Sequence, residues 1–199
     1  NFVINGNTFK NIPNKAIAVT STLKNVTITN NNFVYNNINA LTVFVYRDYS
    51  YTITNFVFSN NNINVVGDTG NYDYIQLGNF ENLLFKNNLI DVSNIAQQKI
   101  ISLRGTTIMT GEISHNIFKG GEYTSNSVFV STNATTMSLI YAYNKMDSCR
   151  MSWSNKITYI GQTYQTNVGP YVQGTNSRKI LYGDKPTLGT WWKGDMVYN

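Results

Sequence analysis

The side chains that could do chemistry in this chain of 199 residues are mainly its ten carboxylates. Carboxyl groups held in pairs can act as general acid and general base, so they are the first candidates for catalysis. The other reactive side chains are one histidine, His115, and one cysteine, Cys149. One of each provides neither an internal disulfide nor a cluster spaced for zinc. We expect no metal and no other cofactor.

Whether two carboxylates meet depends on an internal repeat, which decides the architecture of a chain. The pattern apolar, any, any, Asn, any, apolar recurs at spacings of 24, 30, 27, 28 and 28 residues. Its asparagines are Asn7, Asn31, Asn61, Asn88, Asn116 and Asn144. A second short apolar run follows each of the first five asparagines, at residues 16–20, 41–45, 74–77, 100–103 and 128–130.

A period of about 27 residues with two or three short strands, and without the 3.6-residue pattern of helices, is typical of a parallel β-helix. We therefore predict an all-β fold, a right-handed single-stranded parallel β-helix (solenoid). Residues 1–160 are assigned to its coils, and residues 161–199 to an exit segment and a short non-repeat tail leading to a C-terminal module. Equivalent residues of successive coils stack at about 4.8 Å, so apolar positions form core ridges. The two ridges are Ile4, Ile28, Phe58, Phe85, Ile113 and Tyr141, and Phe9, Phe33, Ile63, Ile90, Phe118 and Met146.

The repeated asparagine lies between these two ridges, where the chain must bend. Asparagine tolerates left-handed backbone, and its amide both donates and accepts hydrogen bonds. Stacked asparagines can therefore bond to one another and to the backbone of the bend. We predict an asparagine ladder with a structural role.

Composition excludes several classes of protein. With 42% hydrophobic and 13% charged residues the chain is not disordered, and its wealth of Asn, Tyr and Phe argues against a helical bundle. No apolar stretch approaches the eighteen or so residues of a membrane span, so we expect no membrane insertion. The net charge of +5 is mild and the basic residues are scattered, so we expect no nucleic-acid partner. Because the chain begins at Asn1 and not Met, we expect it to be part of a longer protein.

The closing segment follows a different pattern, with glycine, proline, tryptophan and Gly-Asp at set spacings. Its residues are Gly183, Pro186, Gly189, Trp191, Gly194, Asp195, Val197 and Asn199. This pattern resembles the segment that follows the pectate-lyase-like β-helix in bacteriophage tailspikes. The coils match that family at the level of fold pattern only. The chain as a whole is similar to the carboxyl-terminal portion of a tailspike of the capsular polysaccharide depolymerase type.

The resemblance implies a homotrimer on the virion, at the phage tail, that binds capsular or O-antigen polysaccharide at the bacterial cell surface and often degrades it. Glycoside hydrolysis is favoured over lyase chemistry. Two alternatives stay open. The chain can be a non-catalytic part of a tailspike that binds glycan or stabilises the trimer, with the catalytic groove elsewhere, or it can be a bacterial β-helical adhesin.

Four carboxylates are candidates for the implied hydrolysis, which uses two carboxyl groups about 5 Å apart for retention or about 6.5 to 9.5 Å apart for inversion. The repeat places Asp91, Lys119 and Asp147 in one column, with the two carboxylates about 10 Å apart. This column is either a surface charge ladder or one wall of a sugar groove that also includes Glu122. Glu112 is the fourth candidate, because it is a lone carboxylate in a column of mostly apolar residues.

Five residues are candidates for binding the sugar, and Lys119 of the charge column is one of them. Arg104 has no obvious partner close in sequence and could hold an acidic sugar carboxylate with two hydrogen bonds. The +5 charge would help to capture such acidic capsules. Trp153 and Tyr74 could stack on sugar rings, although Trp153 could equally cap the last coil. His115 lies at a coil corner, either as a turn residue or as a contact to the sugar.

Overall fold

The fold is seen in a computed structural model, whose described residues contain strands and turns but no helix. The structure describes residues 1–36, 41–46, 51–66, 73–92, 99–120, 128–130, 134–147, 152–153, 157–160, 162–164, 171–172, 180–182 and 196–198. The tail pattern from residue 183 to residue 195 therefore lies outside the described residues, as does Asn199.

The strands form three long sheets and one pair, all in parallel pairing. Sheet A has the strands Phe2–Asn5, Leu23–Thr29, Thr52–Ser59, Asn79–Lys86, Ile108–Ser114, Thr136–Ala142 and Ile157–Ile160. Sheet B has Thr8–Lys10, Asn32–Asn36, Asn62–Val66, Leu89–Asp91, Ile117–Lys119, Lys145–Asp147, Gln162–Tyr164, Ile180–Tyr182 and Met196–Tyr198. Sheet C has Asn14–Val19, Leu41–Tyr46, Asp73–Leu77, Lys99–Leu103 and Val128–Val130. The pair is Ser152–Trp153 with Tyr171–Val172.

Up to residue 147, each strand pairs with the equivalent strand one period away, which confirms the predicted β-solenoid. Beyond it the parallel pairing continues at a shorter spacing, since Tyr141 pairs with Tyr159. In sheet A, Ile28 pairs with Phe58 and Phe58 with Phe85. In sheet B, Phe9 pairs with Phe33, and their rings stack with centroids 4.7 Å apart. Both predicted ridges therefore exist, and they point into the core between the sheets. Sheet B continues beyond residue 160 through its last three strands, and the proposed domain boundary there stays a prediction.

The predicted asparagine ladder is present along the inside of the corner between sheets A and B. Its members Asn31, Asn61, Asn88, Asn116 and Asn144 are at most 2% exposed. Asn61 shows the pattern, because its Nδ2 donates to the carbonyl of Ile28 at 3.0 Å and to Oδ1 of Asn88 at 3.2 Å. Its own Oδ1 accepts from the backbone N–H and the Nδ2 of Asn31. Every donor and acceptor of the Asn61 amide is therefore used.

The left-handed backbone of this corner belongs to the column before the ladder, and not to the ladder asparagines. Asn30, Asn60, Asn87, His115 and Tyr143 have φ between 53° and 56°. Asparagine is common there because it adopts this conformation at low cost. The corner frees backbone groups from the sheets, and the ladder amides bond to several of them.

Two buried side chains in the described residues, Tyr35 and Ser114, leave a hydroxyl without a hydrogen-bond partner. The ring of Tyr35 is fully buried, and its hydroxyl has no hydrogen bond in the described structure. Burial raises the pKa of this hydroxyl well above the ordinary tyrosine value of 10.0, because the interior disfavours the charged form. The folded chain therefore resists the ionisation of Tyr35.

Replacing Asn88 with alanine should destabilise the solenoid. The change removes the acceptor of the Asn61 backbone N–H and the donor to the carbonyl of Phe58. Each orphaned buried group costs about 1 to 3 kcal/mol in the free energy of unfolding, measured by urea denaturation. Asn62→Ala is the control, because Asn62 is exposed and its Nδ2 donates one hydrogen bond to Asn32. Equal denaturation midpoints for the two variants would contradict a structural ladder.

Tyr35→Phe should be neutral or stabilising at pH 7, since it removes a buried hydroxyl that has no partner. Unfolded tyrosine ionises near pH 10 and folded Tyr35 does so at higher pH. The contribution of Tyr35 to the free energy of unfolding is therefore complete below about pH 10, and it declines as the pH rises above that value. The free energy of unfolding of Tyr35→Phe should then exceed that of the wild type by a margin that grows above pH 10. Tyr51→Phe, at an exposed ring, is the control, and a margin independent of pH would refute the effect.

Candidate functional site

The outward face of sheet A carries a second column of asparagines that sequence reasoning missed. Asn25, Asn55 and Asn82 have φ of 56°, 58° and 63°, so each interrupts its strand at the same place in the coil. Nδ2 of Asn55 donates to Oδ1 of Asn25 at 2.9 Å, and Nδ2 of Asn82 donates to Oδ1 of Asn55 at 3.1 Å. With Asn1, these residues form an exposed ladder, called here the outer ladder. Its spacings of 24, 30 and 27 residues equal the first three of the buried ladder, which is the signal that could have revealed it.

The outer ladder stops where sheet A changes register. Two residues separate Phe80 from Leu83, but only Thr110 separates their partners Met109 and Gly111. The strand Ile108–Ser114 therefore lacks the bend that the preceding strands have. The backbone N–H of Asn82 donates instead to the hydroxyl of Thr110, at 3.0 Å.

Gly111 occupies a position that is apolar and buried in the neighbouring strands. Its partners in the register are Leu83 and Leu139, both at most 2% exposed. A Cβ at this glycine would overlap the carbonyl oxygen of Leu83, and its φ is 127°, so only glycine fits without strain. Because of this β-bulge two strands of different shape lie side by side, and bulges of this kind often flank functional sites.

A groove of about 620 Å³ lies over this irregularity on the outside of sheet A. Its floor includes the apolar side chains of Val57, Leu84 and Ile140, and Ile140 is 40% exposed. The polar residues that line the groove are Asn55, Asn82, Thr110, Glu112 and Ser138. We take this open groove as the candidate functional site.

Of the three predicted catalytic residues that the structure describes, Asp91, Glu112 and Asp147, Glu112 lies in the groove. It pairs in register with Leu84 on one side and Ile140 on the other, as the repeat predicts. Its side chain is half-buried, and no described residue forms an ion pair or hydrogen bond with its carboxylate. The column faces outward, since Val3 at its start is 64% exposed. The carboxylate is therefore available to a ligand.

The predicted column of Asp91, Lys119 and Asp147 is on the outer face of sheet B. The register pairs Asp91 with Lys119 and Lys119 with Asp147. Nζ of Lys119 lies 3.3 Å from Oδ2 of Asp91. Two strand spacings separate the two carboxylates, about 10 Å, and a lysine lies between them. The opposite charges of Lys119 and Asp91 form a charge ladder in this column, and the column does not line the groove of sheet A. The alternative, that the column and Glu122 form one wall of another sugar groove, stays a prediction because Glu122 lies outside the described residues.

The predicted sugar-binding residues are dispersed over the described surface and core. The ring of Tyr74 is fully buried, so the prediction that it stacks on sugar is wrong. The expectation that Arg104 lacks a partner close in sequence is also wrong, because its Nε donates to the hydroxyl of Ser102 at 2.8 Å. His115 is exposed at a corner with left-handed backbone, and its ring centroid lies 5.3 Å from that of Tyr143. Its role in binding stays a prediction.

Two further candidates cannot be placed with respect to the groove. Glu122 lies outside the described residues, and Trp153 belongs to a short strand whose side chains are not described. Among the described residues, no group of three or more His, Cys, Asp or Glu side chains is arranged to hold a metal ion. The described part of the chain also has no helix that is long and apolar enough to cross a membrane.

The fold defines this protein as a parallel β-solenoid with an open groove on one sheet. It is compatible with a pectate-lyase-like β-helix. Comparison with protein-family models, with curated proteins and with solved structures finds no match to this chain. Its function must therefore be argued from the groove and from the pattern of the tail.

Gly111→Ala should distort the groove as well as destabilise the fold. The added methyl group overlaps the Leu83 carbonyl, so the strand Ile108–Ser114 must move away from its neighbour. Gly6→Ala is the matched control, since Gly6 has φ of 70° but no atom within 4 Å of an added Cβ. The control should cost about 1 to 2 kcal/mol for left-handed backbone alone. Urea denaturation should show a larger loss in the free energy of unfolding for Gly111→Ala than for Gly6→Ala. Equal losses would show that the contact between Gly111 and the Leu83 carbonyl is unimportant.

Proposed function

We propose that this chain is part of a phage tailspike and that the groove of sheet A binds the surface polysaccharide of the host bacterium. The proposal includes a homotrimer located on the virion. Two independent features support it. The segment from Gly183 to Asn199 has the tail pattern of tailspikes, and the coils form a parallel β-solenoid, the fold on which such spikes are built.

The observation that carries the proposal is the chemistry of the groove lining. A sugar ring has apolar C–H faces and a rim of hydroxyl groups. The apolar side chains of Leu84 and Ile140 suit such a face, while the amide of Asn82 and the hydroxyl of Ser138 suit the rim. The groove is also open to the surface and not a closed cavity, so a polymer can lie across it without threading.

The same lining favours binding over cleavage. Glycoside hydrolysis uses two carboxyl groups, and Glu112 is the carboxylate among the residues that line the groove. The other placed candidates, Asp91 and Asp147, belong to the charge ladder of sheet B. We therefore propose a glycan-binding role for these coils. Cleavage would need a second carboxylate, such as Glu122.

Ile140→Ala should weaken the binding of the host polysaccharide roughly tenfold, because it removes apolar surface from the floor of the groove. A panel of purified capsular and O-antigen polysaccharides identifies the ligand, and calorimetry then measures the dissociation constant. Val3→Ala is a matched control, since Val3 is an exposed residue of the same column outside the groove. It should leave binding unchanged.

The same samples distinguish binding from cleavage through an assay for new reducing ends. Binding without new reducing ends supports a glycan-binding part, and their appearance would make hydrolysis the function. Failure of every polysaccharide in the panel to bind would refute the proposed function.

A further inference from the structure

The outer ladder has a direction. Nδ2 of Asn25 donates to Oδ1 of Asn1 at 3.0 Å, and Asn55 and Asn82 repeat this bond toward the preceding coil. All the side-chain carbonyl oxygens therefore point toward the following coil. Aligned amide dipoles reinforce one another, as they do along a helix, so the ladder has its negative end at Asn82. The buried ladder runs in the opposite direction, because Asn61 donates to Asn88.

This negative end opens into the groove. The register change at Gly111 places Thr110 opposite Asn82, where a regular coil would place another asparagine. Oδ1 of Asn82 accepts no hydrogen bond from any described residue, and the side chain is exposed. An amide oxygen with aligned dipoles behind it is thus available to a ligand.

The charge beside this oxygen is also negative. Glu112 pairs with Leu84, which is two residues after Asn82, and Glu112 and Asn82 both line the groove. Glu81 adds an exposed carboxylate next to Asn82, and its Oε2 accepts from Thr54 at 3.3 Å. The groove lining contains no Lys, Arg or His, and Lys86 lies outside it.

Resting on the proposed function, the geometry points to a glycan with free amino groups as the ligand of this groove. An ammonium group supplies three N–H donors and a positive charge. It can donate to Oδ1 of Asn82 and to the carboxylate of Glu112 while the sugar ring lies on Leu84 and Ile140. Acidic sugars are disfavoured there, although the whole chain has a charge of +5. The local field of the groove, and not the net charge, sets the preference.

Three oligosaccharides of equal length test this inference on the full chain: glucosamine oligomers, N-acetylglucosamine oligomers and galacturonate oligomers. Calorimetry at low salt, in a mildly acidic buffer that keeps the sugar amine protonated, gives the dissociation constants. We expect the glucosamine oligomer to bind at least tenfold more tightly than the acetylated one, and the galacturonate oligomer to bind most weakly. Added salt should reduce the preference.

Two isosteric variants that share the same net charge show whether the preference for the amine comes from Glu112. Glu112→Gln should remove most of the preference for the amine, whereas Asp147→Asn on sheet B should preserve it. Equal binding of the amine and acetylated oligomers, or tightest binding of galacturonate, would overturn the inference while leaving glycan binding intact. An amine preference unchanged in Glu112→Gln would also overturn it. If neither these oligomers nor the polysaccharide panel bind, the proposed function fails as well.

Discussion

The buried asparagine ladder is the interaction on which the rest of this structure depends. At the corner between sheets A and B the backbone is left-handed, and the sheets cannot pair all of its N–H and carbonyl groups. Burying those groups without partners would cost about 1 to 3 kcal/mol for each group. The amides of Asn61, Asn88 and Asn116 supply the missing donors and acceptors. Because each amide bonds to the next coil, the ladder also holds the coils in register.

That register explains why the groove of sheet A is a local exception and not a general property of the solenoid. Regular coils repeat the same outward columns, and their polar groups satisfy one another, as the outer ladder does up to Asn82. One missing residue before Gly111 interrupts this outer ladder but leaves the buried one intact. The buried ladder continues to hold the corner between sheets A and B, so the outward face of sheet A can change shape without loss of the fold. The open acceptor at Asn82 results from this interruption.

The same repeat produces two kinds of carboxylate. Asp91 stacks against a lysine one coil away and is neutralised by it, since the two atoms are 3.3 Å apart. Glu112 stacks between Leu84 and Ile140 and has no cation in its column. Exposed pairs such as the first contribute little to stability, typically below about 1 kcal/mol. In the proposed function, the unpaired carboxylate of Glu112 selects the ligand, whereas Asp91 is already paired.

The sequence by itself determined the repeat, the parallel stacking, both core ridges and the buried ladder, because each depends on side chains that recur at a fixed spacing. It also identified the column of Glu112 correctly, including its apolar neighbours. It did not reveal the groove, since a one-residue difference between two strands is invisible until their pairing is known. It misplaced Tyr74, because alternation along a short strand does not say which face is buried. Tertiary structure alone decided that Gly111 lies against the Leu83 backbone, that the outer ladder ends at Asn82, and that Glu112 shares a groove with it. These facts depend on which residues of neighbouring coils touch. The residue pattern along a single strand does not contain that information.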